Sequence, residues 1–94
     1  FIVWTPAVQV KNNLSPEEAI RTRDFYKWVV NEWDEKGDNI FLWDFYKLET
    51  EGGLYLLDKY ASGLNDSHPN RDFAARLAPI FSAFVIEVAQ GKAE

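Results

Sequence analysis

Apolar positions cluster along the chain, and their spacing changes from one cluster to the next. Phe1-Ile2-Val3-Trp4 is a continuous apolar run ended by Thr5-Pro6. A run of this kind suits a strand covered on both faces, as in a parallel sheet. Chain ends are commonly polar and frayed, so the run reads as a chain entered partway through a fold. Ser15-Pro16-Glu17-Glu18 is a helix start: Ser15 caps, Pro16 takes the first helical position and Glu18 completes a capping box. Ala19, Ile20, Tyr26, Val29, Val30 and Trp33 follow at helical spacing, and Gly37 is a natural stop. The spacing predicts a helix from about Pro16 to Lys36. Asn39 to Phe45 is short, aromatic and β-branched, and reads as a second buried strand. Strand, helix and strand make a βαβ unit, expected to cross over right-handed.

The second half of the chain is less regular. Gly52-Gly53 interrupts Tyr46 to Tyr60, where Leu54-Tyr55-Leu56-Leu57 suggests a short helical turn. Ala61 to Asn70 reads as loop by composition. Arg71 to about Gln90 is a second amphipathic helix, with Phe73, Leu77, Ile80, Phe81, Phe84 and Val88 on one side. Pro79 inside that pattern predicts a kink or a break, and Gly91 ends it. The expected fold class is α/β: two parallel strands, a crossover helix, a loop region and a C-terminal helix.

A chain of 94 residues makes one domain at most. With 47% hydrophobic residues and 16% aromatic ones, it has ample surface to bury, which argues against disorder. A net charge of −5 argues against nucleic acid and anionic membrane surfaces, both of which need clustered cations. The longest nearly apolar run, Leu77 to Ile86, is too short to span a bilayer. No basic segment ahead of an apolar core marks a signal peptide. The chain has no Cys, so neither a disulfide framework nor a thiolate metal site is expected.

The densest chemistry lies in Asn65-Asp66-Ser67-His68-Pro69-Asn70, which contains the sole histidine. In a Ser-His-Asp site the histidine takes the serine proton, while the carboxylate fixes the imidazole tautomer and stabilises the imidazolium. Asp66 and His68 are candidates for those two roles. A plainer reading is a turn begun by Asn65 or Asp66 and a helix start at His68-Pro69. No serine sits in a nucleophile elbow. Ser15 is a cap, Ser82 lies in the last helix, Ser67 adjoins His68, and Ser62 in Ala61-Ser62-Gly63 is conceivable. Elsewhere, Asp34, Glu35 and Asp38 read as a solvated helix end, since metal sites need converging ligands. Asp44, at the end of the second strand, is a turn residue or an alternative partner for His68. Trp4, Trp33 and Trp43 fall on apolar faces and read as core, which leaves Trp28 as the best contact residue.

His68-Pro69-Asn70 followed by a Phe/Ala-rich helix resembles the last sequence block of the SGNH (GDSL-type) hydrolase family. Ile2-Val3-Trp4-Thr5-Pro6-Ala7 is similar to that family's late strand and Thr-Pro turn, Arg23 to Trp33 to the helix that follows, and Ile40 to Tyr46 to its final strand. The resemblance covers residues 1–94, as a single domain or as the C-terminal part of such a domain. It implies part of a flavodoxin-like three-layer α/β/α sandwich. It also implies a serine esterase (acylhydrolase) acting on small acyl esters without a cofactor, with His68 as base and Asp66 as its partner. The family spaces its acid three residues before the histidine, where this chain has Asn65, so Asp66 or Asn65 is left to pair with His68. The family's Gly-Asp-Ser nucleophile block and its oxyanion-hole Gly and Asn are absent from the chain. Two strands make a poor independent sheet, so association is expected, as a homo-oligomer or with the missing half. The alternative function is a small acidic protein–protein interaction module in which His68 merely orders a helix start.

Overall fold

The computed structural model describes residues 1–92. Strand β1 (Ile2–Trp4) and strand β2 (Phe41–Trp43) pair in parallel, with Ile2 beside Phe41 and Trp4 beside Trp43. Helix α1 (Pro16–Trp28) connects them, so the βαβ unit expected from the apolar runs is present. Ser15 Oγ accepts the Glu18 N–H and Glu18 Oε1 accepts the Ser15 N–H, both at 3.2 Å. This is the capping box that the sequence predicts.

The helix stops earlier than its pattern suggests. Over Val29–Trp33 it widens into a π turn, and the Asp34 N–H donates to Val29 O at 2.9 Å. Asp34 is already extended, so the helical path ends three residues before Lys36. The second strand is also shorter than Asn39 to Phe45. Asp44 leaves β2 and caps a helix α2 (Phe45–Thr50) by accepting the Lys47 N–H. Glu51 and Gly52 then both take positive φ, 52° and 89°, which ends α2 at the glycine pair. Leu54 to Leu57 forms no helical turn. Leu56 instead makes a parallel bridge to Val10, and its N–H donates to Gln9 O at 3.1 Å.

Residues 61–69, expected as loop, form an antiparallel hairpin of β3 (Ala61–Gly63) and β4 (Asp66–Pro69). Its place in the fold rests on bonds to Val10 and Asn13, far away in sequence, that composition does not reveal. Helix α3 (Arg71–Ala89) runs unbroken through Pro79, so the expected break is absent. The core joins Val10, Trp43, Phe45, Leu56, Tyr60, Ala61, Phe73 and Leu77, with Ile2, Phe81 and Phe84 against it. The molecule is thus a small mixed helix–strand domain with one parallel and one antiparallel strand pair.

The tryptophans correct the sequence reading. Trp43 is buried, but Trp4 is 51% exposed, Trp33 40% and Trp28 48%. Of the three expected in the core, only Trp43 is there. Strand β1 is only partly covered: Ile2 and Val3 are half-buried, Trp4 is exposed, and among the described residues no strand lies on its outer edge.

Candidate functional site

The hairpin that carries His68 is tied down at both ends. Asn70 does most of this work. Its Oδ1 accepts the Phe73 N–H at 2.8 Å and caps α3. Its Nδ2 donates to Lys59 O at 2.8 Å and to Ala61 O at 3.3 Å, and its N–H donates to Tyr60 O at 2.7 Å. At the other end, Ser67 Oγ accepts the buried Val10 N–H at 3.1 Å and Asn13 Nδ2 at 3.3 Å. Asn13 Nδ2 also reaches Asn65 O at 2.9 Å. Alternation along β4 sends Ser67 toward Val10, with Asp66 and His68 on the opposite side.

There Asp66 Oδ1 lies 2.6 Å from His68 Nδ1 and accepts the His68 backbone N–H at 3.0 Å. These two bonds, the backbone one first, hold the Asp66 carboxyl below its ordinary value, because each favours the carboxylate. In a neutral ring this contact favours the tautomer with the proton on Nδ1, toward Asp66, which leaves Nε2 as an acceptor. The His68 side chain is 89% exposed, so it is not a packed core histidine. Of the two candidate partners, Asp66 pairs with the imidazole, while Asn65 contributes its carbonyl to Asn13. An imidazole with a carboxylate on its Nδ1 is therefore assembled on one short strand, open to solvent.

None of the serines is placed beside it as a nucleophile. Ser15 caps α1, Ser67 holds Val10, Ser62 Oγ donates to Pro69 O at 3.2 Å, and Ser82 lies on an exposed part of α3. Asp44 belongs to a different cluster. Its Oδ2 accepts the Tyr26 hydroxyl at 2.8 Å and its Oδ1 caps α2. Asp38 Oδ1 accepts the Ile40 N–H at 2.9 Å, a turn role. Among the described residues no three His, Asp or Glu groups converge as a metal site, and no helix is long and apolar enough to cross a membrane.

Sequence reasoning overlooked the groups at the C-terminal ends of β1 and β2. Thr5 is buried, and its Oγ1 accepts the Tyr46 N–H at 3.0 Å. Tyr26 stacks on Tyr46 with ring centroids 4.1 Å apart. Desolvation, then the bond to Asp44, raises the Tyr26 hydroxyl above its ordinary value. Glu49 is almost fully buried, and desolvation raises its carboxyl to about 7 against the opposing Val8 N–H bond. The signal available was the mostly polar stretch Lys47 to Glu51 beside an aromatic segment, which gives no hint of which polar side chain turns inward.

Comparison with family models, with curated proteins and with solved structures gives no match for this chain.

Proposed function

We propose that this chain supplies the histidine and aspartate of a serine ester hydrolase of the SGNH (GDSL) type, within a three-layer α/β/α sandwich. The nucleophile and the oxyanion donors come from polypeptide outside these residues. The observation that carries the reading is the 2.6 Å contact between Asp66 Oδ1 and His68 Nδ1, with the rest of the ring open. In that chemistry Nε2 takes the proton of an attacking serine as the acyl bond forms, then returns it to the leaving alcohol. Asp66 holds the Nδ1–H tautomer and stabilises the imidazolium between the two steps. The substrate class is a small acyl ester. The route through serine, histidine and carboxylate needs no cofactor.

The test is fluorophosphonate labelling of the native assembly that contains this chain. The expected result is a labelled serine on a companion segment, with labelling lost in His68→Ala and strongly reduced in Asp66→Ala. Labelling indifferent to both substitutions overturns the proposal. The isolated chain is expected to show no turnover of p-nitrophenyl acetate above that of free imidazole.

A second reading has its own observation. Trp4, Trp28 and Trp33 are each 40% exposed or more, which suits a module that binds another protein surface. That reading leaves His68→Ala without effect on any activity and makes the tryptophan face essential for association.

A further inference from the structure

We infer that the outer edge of β1 pairs antiparallel with the same edge of a second copy of the chain, about a two-fold axis at Val3. The inference goes beyond the hydrolase reading and uses neither His68 nor Asp66, but it competes with that reading for one edge, because the other strands of a completed sandwich would pair with β1 there.

The backbone sets the register. The Phe41 N–H donates to Phe1 O at 2.8 Å, and the Thr5 N–H donates to Trp43 O at 3.1 Å. Phe1, Val3 and Thr5 therefore turn their peptide groups toward β2, and alternation turns those of Ile2 and Trp4 outward. Among the described residues no strand pairs with that side of β1. A two-fold axis at Val3 sets Ile2 opposite Trp4 of the second copy. Those are the two residues whose N–H and C=O groups are free to be exchanged as a hydrogen-bonded pair. The edge is thus self-complementary, and a β-branched residue faces an aromatic one, a favourable cross-strand pair.

Both faces of the edge are prepared in the same way. On the Val3 face, a groove of about 250 Å³ is lined by Val3, Pro6, Phe25, Trp28, Val29 and Trp33. On the Trp4 face, α3 borders a groove of about 230 Å³ whose walls include Trp4, Phe45, Leu77 and Phe81. Strands sit about 4.8 Å apart, so the centres of two joined β1–β2 pairs fall roughly 10 Å apart. That matches the 8–10 Å at which helices pack. The result is a four-stranded sheet in which the two copies of each groove lie on the same face, beside the axis.

The exposed area is on the scale a dimer needs. The open parts of Phe1, Trp4, Phe25, Trp28 and Trp33 amount to about 600 Å² of aromatic surface, against roughly 800 Å² per partner in a stable interface. The chain alone is a slab of 40 × 30 × 16 Å with a radius of gyration of 14.1 Å, wider than the ~12 Å expected for its length. A charge of −5 on each copy opposes the pairing, so added salt strengthens it.

Sedimentation equilibrium of the full chain tests the inference, together with a Val3→Cys variant. The expected mass is twice the 10.9 kDa of the chain, with dissociation shifting to lower concentration as salt rises. A non-hydrogen-bonded antiparallel pair brings the two Val3 Cα atoms to about 4.5–5.5 Å, within disulfide reach. Air oxidation should therefore link Val3→Cys almost completely and leave a Gln9→Cys control unlinked. Trp28→Glu, on the exposed face of α1, should weaken association at least about tenfold. A monomer with native near-ultraviolet circular dichroism at every concentration overturns the inference. So does a dimer in which Val3→Cys does not link, or a different polypeptide found on β1 in place of the second copy.

Discussion

Glu49 and Val8 lie 41 positions apart and meet through one bond, the Val8 N–H donating to Glu49 Oε1 at 2.7 Å. The bond fastens α2 to the segment that leaves β1, and it does so with a carboxyl group that burial has pushed up to about 7. The fold therefore prefers Glu49 neutral. Below pH about 4.5, the ordinary carboxylate value, folded and unfolded chains are both protonated and the group costs nothing. Between about 4.5 and 7 the unfolded chain gives up its proton first, so stability falls as pH rises. Above about 7 the whole cost is present, on the order of 3 kcal/mol. Urea unfolding from pH 4.5 to 8 should show this decline, and Glu49→Gln should flatten it and be the more stable variant at pH 8. A Glu49→Gln profile parallel to wild type would rule the explanation out.

Asn70 differs from Ser15 in what it does besides capping a helix. Ser15 caps α1 on an exposed helix start, and Ser15→Ala should cost about 1 kcal/mol. Asn70 caps α3 and also donates to Lys59 and Ala61 across the hairpin. Asn70→Ala should cost roughly 2–3 kcal/mol, since the cap and two carbonyl partners are lost together. Asn70→Asp keeps the cap and should fall between. Equal losses for Ser15→Ala and Asn70→Ala would show that the cross-hairpin bonds contribute nothing.

The parallel frame was legible because each of its parts has a local signal. Phe1 to Trp4 and Ile40 to Trp43 are apolar runs, and Ser15 to Glu18 carries a complete capping box. The ends of these elements were less legible. Lys36 was expected inside the helix, yet the π turn at Val29–Trp33 closes it early. The β3–β4 hairpin was hidden because Ser62, Asn65, Asp66 and Ser67 are turn-type residues. Their extended conformation is tied to Val10 and Asn13, which are distant in sequence. At the candidate site, the residue types gave Asp66 and His68, but only coordinates separate Asp66 from Asn65 as the partner. Trp4 and Trp33 were read as core because apolar spacing says which face a residue occupies. It does not say whether anything lies across from that face.

Pro79 stands in the interior of α3 without breaking it. It has no N–H to give to the carbonyl of Ala75, and its ring crowds that turn. The residue is exposed, so little packing is lost on replacing it. Pro79→Ala should stabilise the protein by about 1–2 kcal/mol, less than the ~3 kcal/mol of a proline in an ideal helix, because proline also stiffens the unfolded chain. Thermal unfolding monitored at 222 nm checks this. A lower melting temperature would mean that Pro79 supports the Phe81 and Phe84 contacts with Trp43.

Ser67 adjoins the histidine, and its role can be told from that of a nucleophile. Its Oγ is the acceptor for the N–H of Val10, a residue with no exposed surface. Ser67→Ala would leave that donor buried and unpaired, at a cost of about 1–3 kcal/mol. Ser62→Ala, on the exposed strand beside it, should cost no more than about 0.5 kcal/mol. The loss at Ser67 should also be local, seen as faster amide exchange at Val10 and across β4. Because Ser67 anchors the strand that presents Asp66 and His68, the variant should blur the Nδ1–H tautomer of His68 in nitrogen-15 spectra. Ser62→Ala should leave that signal unchanged. A fluorophosphonate adduct on Ser67 itself, or wild-type exchange at Val10 in Ser67→Ala, would contradict the anchoring role.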